Sequence, residues 1–201
     1  MAKKAKVPDA EEMKRLFKIV ASTKNATRDK LLIFFSYGLG LRVLEIASLK
    51  LNQVFAPDGS IKQVINISRT KGDVPRTAYL PDESSAKRMY DALREYFNIR
   101  KSKAPHNMAP DSPLFITQHG GGFTNRSMQK RFEQIYQMAG IEGASSHSGR
   151  RLFATKLIQG GADLKAVQTL MGHSNPSMTM EYVDDNPDRL KNMISNHFTF
   201  I

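Results

Sequence analysis

The hydrophobic period constrains the fold of this chain more than any other feature of its sequence. Apolar residues recur at helical spacing along most of the 201 residues, as in the stretch 13–20. The period changes to two only between residues 61 and 80, where Ile65 and Ile67 share one face of an alternating run. We therefore predict a mainly α protein with a small antiparallel β-sheet, which is an α+β fold.

The alternating segment has the pattern of a β-hairpin. Residues 64–68 read as one strand, Lys71-Gly-Asp73 is a turn signal, and residues 77–80 read as the return strand. This arrangement places Lys71 at the tip of the hairpin.

Local signals predict where the helices begin and end. Asp9 and Glu12 form a capping-box pattern at the start of the first helix, and glycines follow several of the later ones. Residues 101–113 are polar and contain three prolines, so we predict a loop there. The further helices are predicted after Thr27 up to Gly38, over 42–49, from Pro81-Asp82 to about Phe97, and over 125–139, 147–159, 164–171 and 177–183.

Composition limits the chemistry and the location of the protein. The chain has no cysteine, which excludes disulfides, thiolate metal sites and cysteine nucleophiles. It has no apolar run long enough to cross a bilayer, and its basic N-terminus lacks the apolar core of a signal peptide. We expect a soluble cytoplasmic protein, associated with the nucleoid rather than with a membrane.

The charge indicates a polyanionic partner. Thirty Lys and Arg against nineteen Asp and Glu give a net charge of +11 and a pI near 9.9. Such an excess favours nucleic acid, although a generic basic surface that keeps the protein in solution has the same composition.

The common enzyme signatures are missing. There is no P-loop, no dinucleotide-binding glycine pattern and no serine elbow, and His119-Gly-Gly-Gly122 fits a glycine-rich turn better than an oxyanion hole. The five histidines lack the paired spacing of a zinc site. We expect neither a metal nor a cofactor, and catalysis would depend on Tyr, His, Arg and Lys.

Those residue types occur in a specific order. An arginine lies in the stretch Gly40-Leu-Arg-Val-Leu-Glu45, a lysine lies at the hairpin tip, and His147-Ser-Gly-Arg150 opens a helix. Leu170-Met-Gly-His173 follows, with Tyr182 nine residues further on. This ordered set resembles the catalytic domain of the tyrosine recombinases of the phage integrase family. It spans the chain from about Thr27 to Tyr182.

The resemblance implies a phosphate-binding role for four of these residues. Arg42 and Arg150 would clamp the scissile phosphate, His147 would assist proton transfer, and His173 would donate a further hydrogen bond to phosphate. Two forked, permanently charged guanidiniums suit the charge that builds up on the equatorial oxygens of a phosphodiester during displacement.

The resemblance also implies the nucleophile and the general acid. Tyr182 would attack the phosphate, Lys71 would protonate the 5′-oxygen leaving group, and Glu45 would support the site. A phosphotyrosine bond is comparable in energy to the bond that is broken, so strand cleavage and rejoining need neither ATP nor metal.

Each residue taken alone also has an ordinary interpretation. Arg42 could be paired with Glu45 at helical spacing. His173 could simply follow a helix end, where the helix dipole favours a cation. Lys71 could be a solvated turn residue, and Tyr182 a half-buried core aromatic. The order and spacing of the whole set favour the catalytic interpretation.

The predicted function is therefore a site-specific recombinase acting on double-stranded DNA through a 3′-phosphotyrosine. Members of the family work as tetramers, so we expect self-association on DNA. Two alternatives stay open: a recombinase-like regulator that binds DNA without cutting it, and an activity of the type IB topoisomerase kind.

We predict three segments. Residues 1–24 form a basic arm and a leading helix, residues 25–185 form the catalytic domain, and residues 186–201 form a segment that either exchanges between protomers or packs on its own domain. Only roughly 25 residues precede the matching region, which indicates a single-domain member, like the Fim-type inverting recombinases, or an excised fragment. The predicted additional DNA contacts are Lys3, Lys4, Lys6 and Arg151.

Overall fold

The structure is a computed structural model that describes residues 5–67 and 75–183. It confirms the predicted class, since these residues form helices around one two-stranded antiparallel sheet. The helices are α1 (Ala10–Ala21), α2 (Ala26–Gly38), α3 (Val43–Ser48), α4 (Leu51–Val54), α5 (Glu83–Lys103), α6 (Asn125–Met138), α7 (Ser148–Gln159), α8 (Leu164–Met171) and α9 (Ser177–Met180), with a 3₁₀ turn at Pro105–Asn107. The strands are β1 (Val64–Ile67) and β2 (Arg76–Tyr79).

The start of α1 has the predicted capping box. The Asp9 carboxylate accepts a hydrogen bond from the backbone N–H of Glu12 at 2.8 Å, and the Glu12 carboxylate accepts one from the N–H of Asp9 at 3.1 Å. Both of these amide groups lie where a helix provides no internal acceptor, so the box fixes the first turn.

Helix α2 is the centre of the core. Leu31, Leu32 and Phe35 are fully buried, and α2 contacts α1, α3, α5 and α7. Helix α7 approaches α2 especially closely. A Cβ atom built on Gly149 of α7 would overlap Oγ of Ser36 in α2. The glycine in the first turn of α7, which is unfavourable for a helix by itself, therefore allows two helix backbones to approach each other.

The hairpin pairs in the predicted sense. Ile65 faces Ala78 across the sheet and Ile67 faces Arg76. Ile65 and Ile67 are both buried, which confirms the shared face expected from their spacing. The predicted tip, including Lys71, lies outside the described residues.

Two helix ends differ clearly from the sequence predictions, and one short helix was not predicted. Helix α5 continues to Lys103 instead of ending near Phe97, so the predicted loop at 101–113 begins later. Buried Arg100 explains the extension, since it is 1% exposed and donates to the carbonyl oxygens of Pro113 and Leu114. Helix α9 ends at Met180 rather than at residue 183, and the one-turn helix α4 was not predicted.

A second, smaller cluster lies beside the main core. Its buried residues are Ala154, Ile158, Val167 and Met171, and the half-buried ring of Tyr182 packs against them. Within the described ranges, no helix has the length and apolarity needed to cross a membrane.

Candidate functional site

The C-terminus of α8 is the point where three arginines meet. Arg76 donates to the carbonyl oxygen of Leu170, Arg150 to that of Met171, and Arg42 to that of Gly172 at 3.4 Å. The last carbonyls of a helix have no partner inside the helix and carry its partial negative charge, so guanidiniums bind there favourably. We call Arg42, Arg76 and Arg150 the arginine cluster.

Glu45 lies within this cluster and is 3% exposed. Its carboxylate accepts from Arg76 Nη2 at 2.8 Å and Nε at 3.2 Å, from Arg42 Nη1 at 3.3 Å, and from the N–H of Arg42 at 2.6 Å. Arg150 Nη1 is 4.0 Å away. Burial by itself would raise the pKa of Glu45, but the hydrogen bonds and charge of Arg76 outweigh burial and keep that pKa below its ordinary value.

The carbonyl oxygen of Gly40 links two members of the cluster. It accepts from Arg150 Nη1 at 2.5 Å and from Arg76 Nη2 at 3.1 Å. Burial, together with the neighbouring charges of Arg42 and Arg76, lowers the pKa of Arg150 to about 9. Arg150 therefore keeps its charge at neutral pH. Each of its Nη atoms carries two hydrogens, and the Gly40 and Met171 contacts use one on each.

Gly172 allows the end of α8 to approach the cluster. It ends the helix in the left-handed region, with φ of 61° and ψ of 41°. A Cβ atom on this residue would lie 2.5 Å from Cδ of Arg76. Glycine therefore meets both a conformational and a spatial requirement at this position.

His173 and Tyr182 form a stacked pair next to the cluster. Their ring centroids are 6.0 Å apart and their planes differ by 16°. His173 is 6% exposed, and its Nδ1 is 2.9 Å from Oγ1 of Thr179. The backbone N–H of Tyr182 donates to the carbonyl of Thr179 at 3.1 Å, so one turn of chain fixes both rings.

Arg151 also lies next to the ring of Tyr182. Its guanidinium carbon lies 5.9 Å from the centroid of Tyr182, within the range of a cation–π contact. Its Nε is buried and has no hydrogen-bond partner. In this structure Arg151 contacts the predicted nucleophile, and its predicted role as a DNA contact stays a prediction.

His147 lies at the N-cap of α7, three residues before Arg150, with an exposed side chain. Partial desolvation, and then the positive charges of Arg150 and Arg42, lower its pKa below the ordinary value. The imidazole is therefore neutral at neutral pH, which is the form that accepts a proton.

The structure thus brings six of the predicted residues together: Arg42, Glu45, His147, Arg150, His173 and Tyr182. Lys71, Lys3 and Lys4 lie outside the described residues, as does the predicted exchange segment 186–201. Lys6 is placed away from this site. Its Nζ lies 2.5 Å from the carboxylate of Glu12, and its backbone N–H donates to the carbonyl of Gly143.

Arg76 was missed by the sequence predictions although it hydrogen-bonds to Glu45 and to the carbonyl oxygens of Gly40 and Leu170. Its position contained a signal, because Arg76, Ala78 and Leu80 alternate along the return strand on the face that packs inward. An arginine at an inward position of a half-buried strand requires a buried anionic or carbonyl partner.

Among the described residues, no three His, Asp or Glu side chains lie close enough together to hold a metal ion.

The fold and site define a class of protein. The chain matches the phage integrase family over residues 6–189 and belongs to that family. This confirms the resemblance to tyrosine recombinases seen in the sequence.

Curated proteins similar to this chain are named tyrosine recombinases. Tyrosine recombinase XerC of Halalkalibacterium halodurans is 34% identical over 192 residues, which is 93% of this chain and 60% of the relative. Tyrosine recombinase XerA of Thermococcus kodakarensis is 30% identical over 181 residues, covering 90% of this chain and 58% of the relative. The chain thus spans a little under two thirds of the length of these curated relatives.

Solved structures show the same similarity. The crystal structure of XerA recombinase superposes with a TM-score of 0.74 at 26% identity, covering 98% of this chain and 66% of that one. The XerH site-specific recombinase, solved bound to its difH substrate before cleavage, gives a TM-score of 0.70 at 27% identity, with 97% and 55% covered.

Proposed function

We propose that this chain acts as the catalytic part of a site-specific DNA recombinase, which cleaves and rejoins strands through a 3′-phosphotyrosine on Tyr182. The observation that carries the proposal is the placement of the Tyr182 phenol on His173, beside the arginine cluster that meets at the end of α8. In this arrangement a phenol, which can act both as nucleophile and as leaving group, lies next to positively charged guanidiniums. Family membership supports the same assignment.

The chemistry follows from the residue types. The oxygen of Tyr182 attacks phosphorus, the bond from phosphorus to the 5′-oxygen breaks, and Lys71 donates a proton to that oxygen. The products are a 3′-phosphotyrosine and a free 5′-hydroxyl. Attack by a 5′-hydroxyl reverses the step and releases the tyrosine, so neither ATP nor a metal ion is consumed.

The remaining side chains have distinct tasks in this scheme. Arg42 and Arg150 stabilise the charge on the non-bridging oxygens, because their guanidiniums are already oriented by backbone carbonyls and need no rearrangement. Neutral His147 accepts the phenolic proton. Arg76 and Glu45 hold the two phosphate-binding arginines in place from the interior.

Double-stranded DNA is the proposed substrate. The net charge of +11 supports a polyanion, and the related XerH was solved with its difH DNA.

We further propose a tetramer on DNA in which residues 186–201 dock on a neighbouring protomer. The support for docking is the helical spacing of Leu190, Met193, Ile194 and Phe198. Mass photometry of DNA complexes, with and without those residues, tests this step.

Adduct trapping tests the central claim. Duplexes built from inverted repeats near the gene, each nicked one or two bases from the cleavage position, lose the short product and trap the covalent complex. We expect an adduct with the wild type and none with Tyr182→Phe. Tyr79→Phe is the matched control, because Tyr79 is 59% exposed on the hairpin and should leave the adduct unchanged. An equal yield from Tyr182→Phe would refute the proposal.

Two further results separate the alternatives. Specific binding without any adduct would identify a regulator, and relaxation of supercoiled plasmid without a specific site would identify a topoisomerase-like activity.

A substrate with a sulfur in place of the 5′-oxygen tests Lys71, since a thiolate leaves without needing an acid. The sulfur substrate should restore cleavage to Lys71→Ala but not to Tyr182→Phe.

A further inference from the structure

A cavity of about 330 Å³ lies at the opposite end of α2 from the candidate active site. It is lined by the start of α2, the second half of α5 and the loop 116–120. Helix α2 has 13 residues and is therefore about 20 Å long. The cavity is thus well separated from Gly40, which follows the other end of the helix.

The lining of this cavity carries a marked excess of positive charge. Among the described residues, four lysine and arginine side chains line it, and no aspartate or glutamate does. Lys24 and Lys103 are exposed at its rim, while Arg28 and Arg100 are buried in its wall. Asp29 pairs with Arg28, with contacts of 2.9 Å and 3.1 Å to one carboxylate oxygen, and it also pairs with Arg131.

Arg100 has no such compensation. It is 1% exposed, and its amino groups donate to the carbonyl oxygens of Pro113, Leu114 and Asn107, at 2.5–2.7 Å. Its Nε is buried without a hydrogen-bond partner, and no carboxylate in the described part of the chain forms an ion pair with it. Carbonyls satisfy N–H groups but do not neutralise a charge, and a buried charge without a counter-charge is costly.

Neutral donors line the same cavity. The Tyr96 hydroxyl accepts from the N–H of Ile116 at 3.3 Å, which leaves its own proton to donate. Burial raises the pKa of Tyr96, so this proton is retained at neutral pH. Asn25 makes no capping hydrogen bond, which leaves the first-turn amides of α2 near Thr27 without a side-chain acceptor.

We infer that this cavity is a binding site for a small phosphate-bearing anion, with Arg100 as its buried counter-charge. The shared chemistry is a tetrahedral dianion, supplied either by inorganic phosphate or by a phosphorylated metabolite. Lys24 and Lys103 attract it at the rim, and Tyr96 and the start of α2 donate hydrogen bonds to it. The site does not depend on the proposed recombinase activity.

Calorimetry on the full chain in a phosphate-free buffer tests the site. The probes are inorganic phosphate and adenosine monophosphate, with chloride as the monovalent reference. We expect saturable binding of at least one phosphate probe, and the tighter of the two identifies the source of the dianion. Removing two rim charges with Lys24→Gln and Lys103→Gln together should weaken that binding about tenfold.

The matched control is the double variant Lys101→Gln and Lys130→Gln, which removes two exposed charges that do not line the cavity. It should bind phosphate like the wild type. A second readout needs no variant, because the ¹⁵N–¹H signal of Arg100 Nε should shift on saturation with the probe. The absence of saturable binding, equal weakening in the control, or complete displacement of phosphate by duplex DNA would overturn the assignment.

Discussion

Arg76 and Glu45 form a buried ion pair that joins the β-hairpin to the helix following Gly40. Both side chains are 3% exposed, and their closest atoms are 2.8 Å apart. The same guanidinium donates to the carbonyls of Gly40 and Leu170. One residue therefore ties the strand that leads back from the hairpin tip to the two segments that orient Arg42 and Arg150.

This pair leads to the first prediction. Arg76→Met should reduce the free energy of unfolding by about 3 kcal/mol, because it leaves a buried carboxylate with less compensation. Arg94→Met is the control, since its pair with Glu83 is half exposed and should contribute much less to stability than the buried pair. Urea denaturation measures both. Equal effects of the two substitutions would contradict the structural role of Arg76.

The pH dependence of that stability has a definite sign. The pKa of Glu45 is lower in the folded protein than in the unfolded chain, so its ionised form stabilises the fold above the ordinary value of 4.5. This contribution is lost as the pH falls below 4.5 through the folded pKa. Glu45→Gln should therefore flatten the acid limb of the stability curve, and an unchanged acid limb would argue against an ionised Glu45.

Gly172→Ala should destabilise the protein and slow adduct formation. The substitution places a methyl group against Arg76 and requires alanine to adopt a φ of 61°. Gly161→Ala separates the two effects, because Gly161 has a φ of 85° but no atom within 4 Å of its Cβ position. Both variants should lose about 1 kcal/mol from backbone strain, and only Gly172→Ala should also lose cleavage. Cleavage by Gly172→Ala at the wild-type rate would count against this account.

His147 should titrate below its ordinary range in the free protein. Its pKa is lowered by desolvation and by the charges of Arg150 and Arg42. NMR titration should therefore give a midpoint under 6.5, and Arg42→Gln should move it upward. The depressed folded pKa also means that His147 contributes stability above 6.5 that is lost as the pH falls through the folded value. A midpoint at or above 6.5 would contradict the proton-accepting role.

The hydrogen bond between Thr179 and His173 should affect catalysis more than folding. Thr179→Val keeps the shape but removes the partner of Nδ1, so we expect roughly tenfold slower adduct formation. Thr179→Ser keeps the hydroxyl and should retain most of the rate. Single-turnover assays with saturating DNA isolate the chemical step. If valine and serine behave alike, the hydroxyl does not orient His173.

Local sequence determined much of this protein. Capping residues, glycine stops and the change of period predicted the helices, the hairpin and the order of the site residues, because these features depend on contacts within a few residues. The sequence motifs also named Arg42, Glu45, His147, Arg150, His173 and Tyr182 as one set.

Only the tertiary structure decided how that set is held together. Arg76 lies 31 residues from Glu45 and 94 from Leu170, and Arg42 lies 130 from Gly172. Local periodicity carries no information about pairs so far apart, because their meeting depends on how α3, β2 and α8 pack. The same reason explains why α5 extends to Lys103: its last turn is fixed by Arg100 and the carbonyls of residues 113 and 114, which no local pattern reveals.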